Sequence, residues 1–110
     1  MAVPIVIKVL LADEAESMRR AIRFVLGQGE GIKVVGEASS LEAAIQKATE
    51  LGPHVVVLDL NMANRDHTPL TEVRSLLKGA KILGSHLVAR TIRQNWRTGL
   101  VRRRSWTRWT

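Results

Sequence analysis

A chain of 110 residues with no cysteine is long enough for one domain with its own core and too short for two, and it can hold neither a disulfide nor a thiolate metal centre. No apolar run approaches the roughly 20 residues of a membrane span, and Lys8 interrupts the first one, so a soluble, cytoplasmic protein without a transmembrane segment or cleavable signal is expected. The net charge of +7 is confined to one end: residues 1–84 balance ten basic against ten acidic side chains, whereas residues 85–110 carry seven arginines (Arg90, Arg93, Arg97, Arg102, Arg103, Arg104, Arg108), no acid, and all three tryptophans (Trp96, Trp106, Trp109).

Ile5-Val6-Ile7-Lys8-Val9-Leu10-Leu11 reads as a first strand, β-branched at its start, and it ends in Asp13-Glu14. Residues 15–26 place Met18, Ala21, Ile22, Val25 and Leu26 at helical spacing, with Arg19, Arg20 and Arg23 on the other face. Gly27, Gly29 and Gly31 follow that helix and precede a strand, the reverse of a dinucleotide loop, and so read as turn residues. Ile32-Lys33-Val34-Val35-Gly36-Glu37 is more mixed and suits a sheet edge. Ser39 and Glu42 have the spacing of a capping box before a helix that buries Leu41, Ala44, Ile45, Ala48 and Leu51, and Gly52-Pro53 stops it.

Val55-Val56-Val57-Leu58 is an unbroken apolar run of the kind buried on both faces of a parallel sheet. Asp59 follows it at the carboxyl end, the side of such sheets on which ligands bind. A polar loop (Asn64-Arg65-Asp66-His67) leads to Thr68-Pro69, which caps a third helix with Leu70, Val73, Leu76 and Leu77 inward. Lys81-Ile82-Leu83 is a fourth strand, closed by Gly84-Ser85. The order βαβαβαβ over 84 residues predicts an α/β fold, a doubly wound parallel sheet with right-handed crossovers. Asp13, Glu14 and Asp59 then gather at the ends of adjacent strands, where three carboxylates repel unless a cation lies among them. The competing reading of Asp13 and Glu14 is as acids in the first turn of a helix.

Asp13-Glu14 after the first strand, Asp59-Leu60-Asn61-Met62 after the third and Ser85 after the fourth resemble the site of a response-regulator receiver domain, over about residues 5–85. The resemblance implies a flavodoxin-like sheet of order 2-1-3-4-5 and a phosphoacceptor that is not a turnover enzyme. It takes a phosphoryl group from a histidine kinase or a phosphotransfer protein with Mg2+ as cofactor. In those terms Asp59 is the acceptor, Asp13, Glu14, Asp59 and the backbone carbonyl of Asn61 hold the metal, and Ser85 contacts a phosphoryl oxygen. His54 reads as a strand-entry residue, and His67 and His86 as solvated groups near the pocket mouth. Three positions depart from the family: Ala63 stands where a Pro is usual, His67 where a Gly is usual, and no Lys follows Lys81 to serve as the family's fifth-strand lysine.

The departure continues through the end of the chain. Leu87, Val88, Ile92, Trp96 and Leu100 predict a helix over about residues 86–97, after which only Gly99-Leu100-Val101 hints at a strand. Residues 1–85 are therefore read as a receiver-like domain and 86–110 as an atypical basic tail, out-of-frame or replacement sequence, without the family's fifth strand and last helix. Reading the coding DNA in its other frames tests that origin. A fourth strand left at the sheet edge could pair with a second copy to form a homodimer. Two alternatives follow: a degenerate receiver acting as an interaction module without phosphorylation switching, and a nucleic-acid binder whose tail sets guanidinium groups on phosphates and indoles on bases.

Overall fold

Four β-branched or Leu-rich runs become parallel strands, β1 (Ile7–Ala12), β2 (Ile32–Ala38), β3 (Val55–Leu58) and β4 (Lys81–Gly84), in one sheet of order β2-β1-β3-β4. The computed structural model describes residues 5–65, 67–77 and 79–98, the last four as backbone only. The order places β2 at an edge, as its mixed pattern predicts, and puts β1 and β3 inside, where burial on both faces matches their apolar runs. The ladders pair Ala12 with Leu58 and Leu58 with Gly84, so β1, β3 and β4 end level with one another.

Alternate residues along β1 and β3 face opposite layers of helices. On one side Leu10, Ala12, Val56 and Leu58 pack beneath α2 (Leu41–Leu51), α3 (Leu60–Arg65) and α4 (Leu70–Leu76), meeting Leu41, Ala44, Ala48, Met62, Ala63, Val73 and the adjoining Leu77. On the other side Val9, Leu11 and Val57 meet Ile22 of α1 (Glu16–Leu26) and Ile92 of α5 (Ser85–Thr98). Each large aliphatic fully removed from water there stabilises the fold by about 1.5–3 kcal/mol before entropy is counted. No helix among the described residues is long and apolar enough to cross a membrane.

Several local expectations shift. The cap of α2 is Ser40 rather than Ser39: Ser40 Oγ accepts the Ala43 N–H at 3.1 Å, which leaves Glu42 one position short of a capping box but still in the first turn. Residues 60–65, read partly as loop, form the short helix α3, because with Ala63 in place of Pro nothing rigidifies the segment against a helical turn. The cap position of α4 falls on Pro69, which has no side-chain group to offer. Leu70 and Leu76 are exposed, not inward, because the seven residues of α4 turn only a narrow stripe to the sheet and Val73 and Leu77 fill it.

The composition break at residue 85 is not a break in the fold. Strand β4 passes into α5 with no residue between, and α5 packs on α1 through Ile92, only 6% exposed, with Val88 beside it. The packed unit therefore continues past the boundary drawn from composition. Leu87, placed on the inward face from its spacing, is exposed. The helix expected over 86–97 spans Ser85–Thr98. The hint of a strand at residues 99–101 and the arginine and tryptophan run after it lie outside the described residues.

Candidate functional site

The level strand ends decide what the site contains. Asp13, Asp59 and Ser85 are each the residue immediately after the matched positions Ala12, Leu58 and Gly84, so they stand side by side at the carboxyl edge of three neighbouring strands. Backbone bonds carry the ladder one step further: the Asp13 N–H donates to the Ala38 carbonyl at 3.0 Å and the Asp59 N–H to the Ala12 carbonyl at 2.8 Å. All three are buried, at 5%, 7% and 0% exposure respectively. Helices cover both faces of the sheet, and so this edge is where polar groups can converge without interrupting the core.

Both aspartates are held by the same local device. Asp13 Oδ1 accepts the Ala15 N–H at 2.8 Å, and Asp59 Oδ1 accepts the Asn61 N–H at 3.0 Å, in each case two residues on. One oxygen of each carboxylate is thereby oriented by backbone, and the other is left for a partner. Arg19 steadies the first of these turns, donating through one guanidinium nitrogen to the Asp13 carbonyl while its Nε donates to Glu37 Oε1 at 3.0 Å. Ser85 differs: its Oγ is buried and has no hydrogen-bond partner among the described residues. A hydroxyl in that state costs about 1–3 kcal/mol, which is unusual unless the position serves a ligand.

Glu14 and Asn61 stand apart from the buried trio. Glu14 is exposed, and its carboxylate forms a close ion pair with Arg65 at the end of α3. The Asn61 carbonyl accepts Arg65 Nε at 3.4 Å. Another guanidinium nitrogen of Arg65 lies 3.9 Å from Asp59 Oδ2, and His86 Nε2 lies 3.9 Å from Asp59 Oδ1. Arg65 is the residue that sequence reading missed. It sat in an expected loop, and its partner Glu14 lies on another element, so local pattern carried no signal for the pairing. His86, expected near the mouth, does stand at Asp59.

The oxygen-rich donor set suits a hard dication such as magnesium. No three His, Cys, Asp or Glu side chains among the described residues gather into a metal-holding group; Asp13 and Asp59 stand together, and Glu14 is paired with Arg65. His54 takes no part in the site: its Nδ1 accepts the Lys8 N–H at 2.9 Å and its own N–H donates to the Lys8 carbonyl at 2.9 Å, splicing the start of β3 onto β1. His67 adopts φ 54°, the left-handed conformation that explains why a glycine is usual there.

A family model of the response regulator receiver domain matches residues 9–81. The chain belongs to the response regulator receiver family. Over 78 residues this receiver is 40% identical to the response regulator protein VraR of Staphylococcus epidermidis, a match that spans 70% of the chain and 37% of that protein. Over 75 residues it is 36% identical to protein-glutamate methylesterase/protein-glutamine glutaminase 1 of Methanosarcina acetivorans, spanning 68% of the chain and 21% of that protein. What it shares with the methylesterase is a receiver domain. The non-phosphorylated receiver domain of the stress response regulator RcsB from Escherichia coli matches with a TM-score of 0.62 at 26% identity, over 70% of this chain and 62% of that one. The sheet order 2-1-3-4 with helices on both faces is the flavodoxin-like receiver arrangement. The chain thus spans well under half the length of these curated relatives.

Proposed function

We propose that this receiver is the phosphoacceptor of a cytoplasmic two-component phosphorelay, with Asp59 as the acceptor and a histidine kinase or phosphotransfer protein as the donor. The observation that carries the reading is the alignment of Asp13, Asp59 and Ser85 at one sheet edge, with the Ser85 hydroxyl buried and unpartnered. Asp59 Oδ1 is tied to the Asn61 N–H, which leaves Oδ2 as the nucleophile. That oxygen forms a bond to phosphorus as the P–N bond of a phosphohistidine breaks, and the imidazole keeps the electron pair. Ser85 Oγ–H then donates to a phosphoryl oxygen, which supplies the partner it lacks.

Asp13 and Asp59 would hold a magnesium ion, with Glu14 and the Asn61 carbonyl as the further oxygens. The ion supplies neutralisation of the charge that gathers on the transferring oxygens. The residues of the chain do the rest: the backbone N–H groups of Ala15 and Asn61 aim the carboxylates, and the buried strand ends keep bulk water from the acyl phosphate. The test is incubation of the full chain with magnesium and acetyl phosphate, followed by intact mass. One phosphoryl group adds to the wild type and none to Asp59→Asn; no adduct at saturating donor overturns the proposal.

A further inference from the structure

Arg65 touches every group outside Asp13 that would hold the metal ion. Its guanidinium pairs closely with Glu14, approaches Asp59 Oδ2 to 3.9 Å and donates from Nε to the Asn61 carbonyl at 3.4 Å. A single cation thus already pairs with Glu14, bonds the Asn61 carbonyl and stands near Asp59, groups whose mutual repulsion calls for a positive charge. Its position follows from the fold. Arg65 closes α3, a helix that opens on the Asp59 carbonyl, where the Met62 N–H donates at 3.0 Å, so six residues bring the side chain back over the acceptor. The base of the pocket is buried while Arg65 and Glu14 are more than half exposed, so the guanidinium lies across the mouth and not beneath it.

We propose that Arg65 is a built-in cation that competes with a divalent metal ion for the acidic pocket and so sets the affinity of the site. The inference rests on the reading of Asp13, Glu14, Asp59 and Asn61 as the metal-holding group. For a dication to gain Glu14, the guanidinium must give it up, and the positive charge near Asp59 must move away. Both steps subtract from the free energy of metal binding, so loss of Arg65 tightens it. A charge about 4 Å from the buried Asp59 carboxylate, discounted because Arg65 itself is exposed, is worth enough to change affinity by roughly tenfold.

Mn2+ is the probe, because its free concentration is read directly by electron paramagnetic resonance without any phosphotransfer. Wild type, Arg65→Gln, Arg65→Lys, Asp13→Asn and the double variant Asp13→Asn with Arg65→Gln are titrated, with far-UV circular dichroism confirming that each is folded. Arg65→Gln binds Mn2+ roughly tenfold more tightly than wild type, Arg65→Lys falls between, and the double variant binds no better than wild type. Measurable binding that is lost with Asp13→Asn but unchanged by Arg65→Gln leaves the metal site standing and overturns the role of Arg65. Absence of binding in wild type and Arg65→Gln alike overturns the role as well, since removing the cation then opens no site. The acetyl-phosphate adduct on Asp59 reports separately on the phosphoacceptor reading.

Discussion

The two faces of the sheet are filled unequally. Beneath α2, α3 and α4, the strand residues Leu10, Ala12, Val56 and Leu58 meet helix residues that are themselves buried, and the layer closes on itself. Beneath α1 and α5, the strand residues Val9, Leu11 and Val57 meet Ile22 and Ile92 as the buried helix contacts among the residues whose side chains are described. Met18, Val25, Leu26 and Val88 are partly covered. The difference follows from composition: α2 carries a stripe of Leu and Ala, whereas α1 and α5 are rich in arginine and give the sheet a narrow apolar strip. It teaches that α5, arginine-rich as it is, joins the fold through Ile92 and Val88 among the residues whose side chains are described, completing with α1 the second layer.

The largest effects sharpen that contrast. Leu58→Ala, on the closed face, should lower the free energy of unfolding by about 4 kcal/mol, and Ile92→Ala, on the open face, by about 2 kcal/mol, because the thinner layer relaxes into the space left behind. Urea denaturation reads both, and equal losses would abolish the distinction between the faces. At the rim between them, Ser85→Ala should raise stability by about 1 kcal/mol, since it removes a buried hydroxyl without a partner. It should also weaken retention of the phosphoryl group on Asp59, followed by the decay of the adduct in intact mass. A loss of stability instead would mean that the hydroxyl has a partner. The smallest change belongs to the closed face: His67→Gly relieves a left-handed backbone at the approach to α4 and should stabilise by less than about 1 kcal/mol in the same denaturation experiment.

Much of this was legible because it is local. The apolar runs that became β1 and β3 carry their burial in their composition, and Asp13, Asp59 and Ser85 each directly follow a strand, so topology alone brings them together. What could not be read depended on contacts across the chain. The Arg65–Glu14 pair joins residues on different elements, and of the adjacent serines Ser39 and Ser40 it is Ser40 whose extended backbone lets its hydroxyl cap the helix. Leu70, Leu76 and Leu87 have helical spacing, but spacing does not say which flank of a short helix another element covers. The composition break at 85 is real as chemistry, and beyond it α5 packs into the core through Ile92 and Val88 among the residues whose side chains are described.

The junction of β4 and α5 has a mechanical consequence. Gly84 is the last residue of the strand and Ser85 the first of the helix, so the same residue that ends level with the acceptor is also the root of a 14-residue rod. A strand paired in a ladder is stiff and so is a helix, and there is no slack between them to absorb a small displacement at the pocket. A displacement of Ser85 would therefore reach α5 directly, with no loop residue to absorb it before the buried contact of Ile92 with the α1 layer.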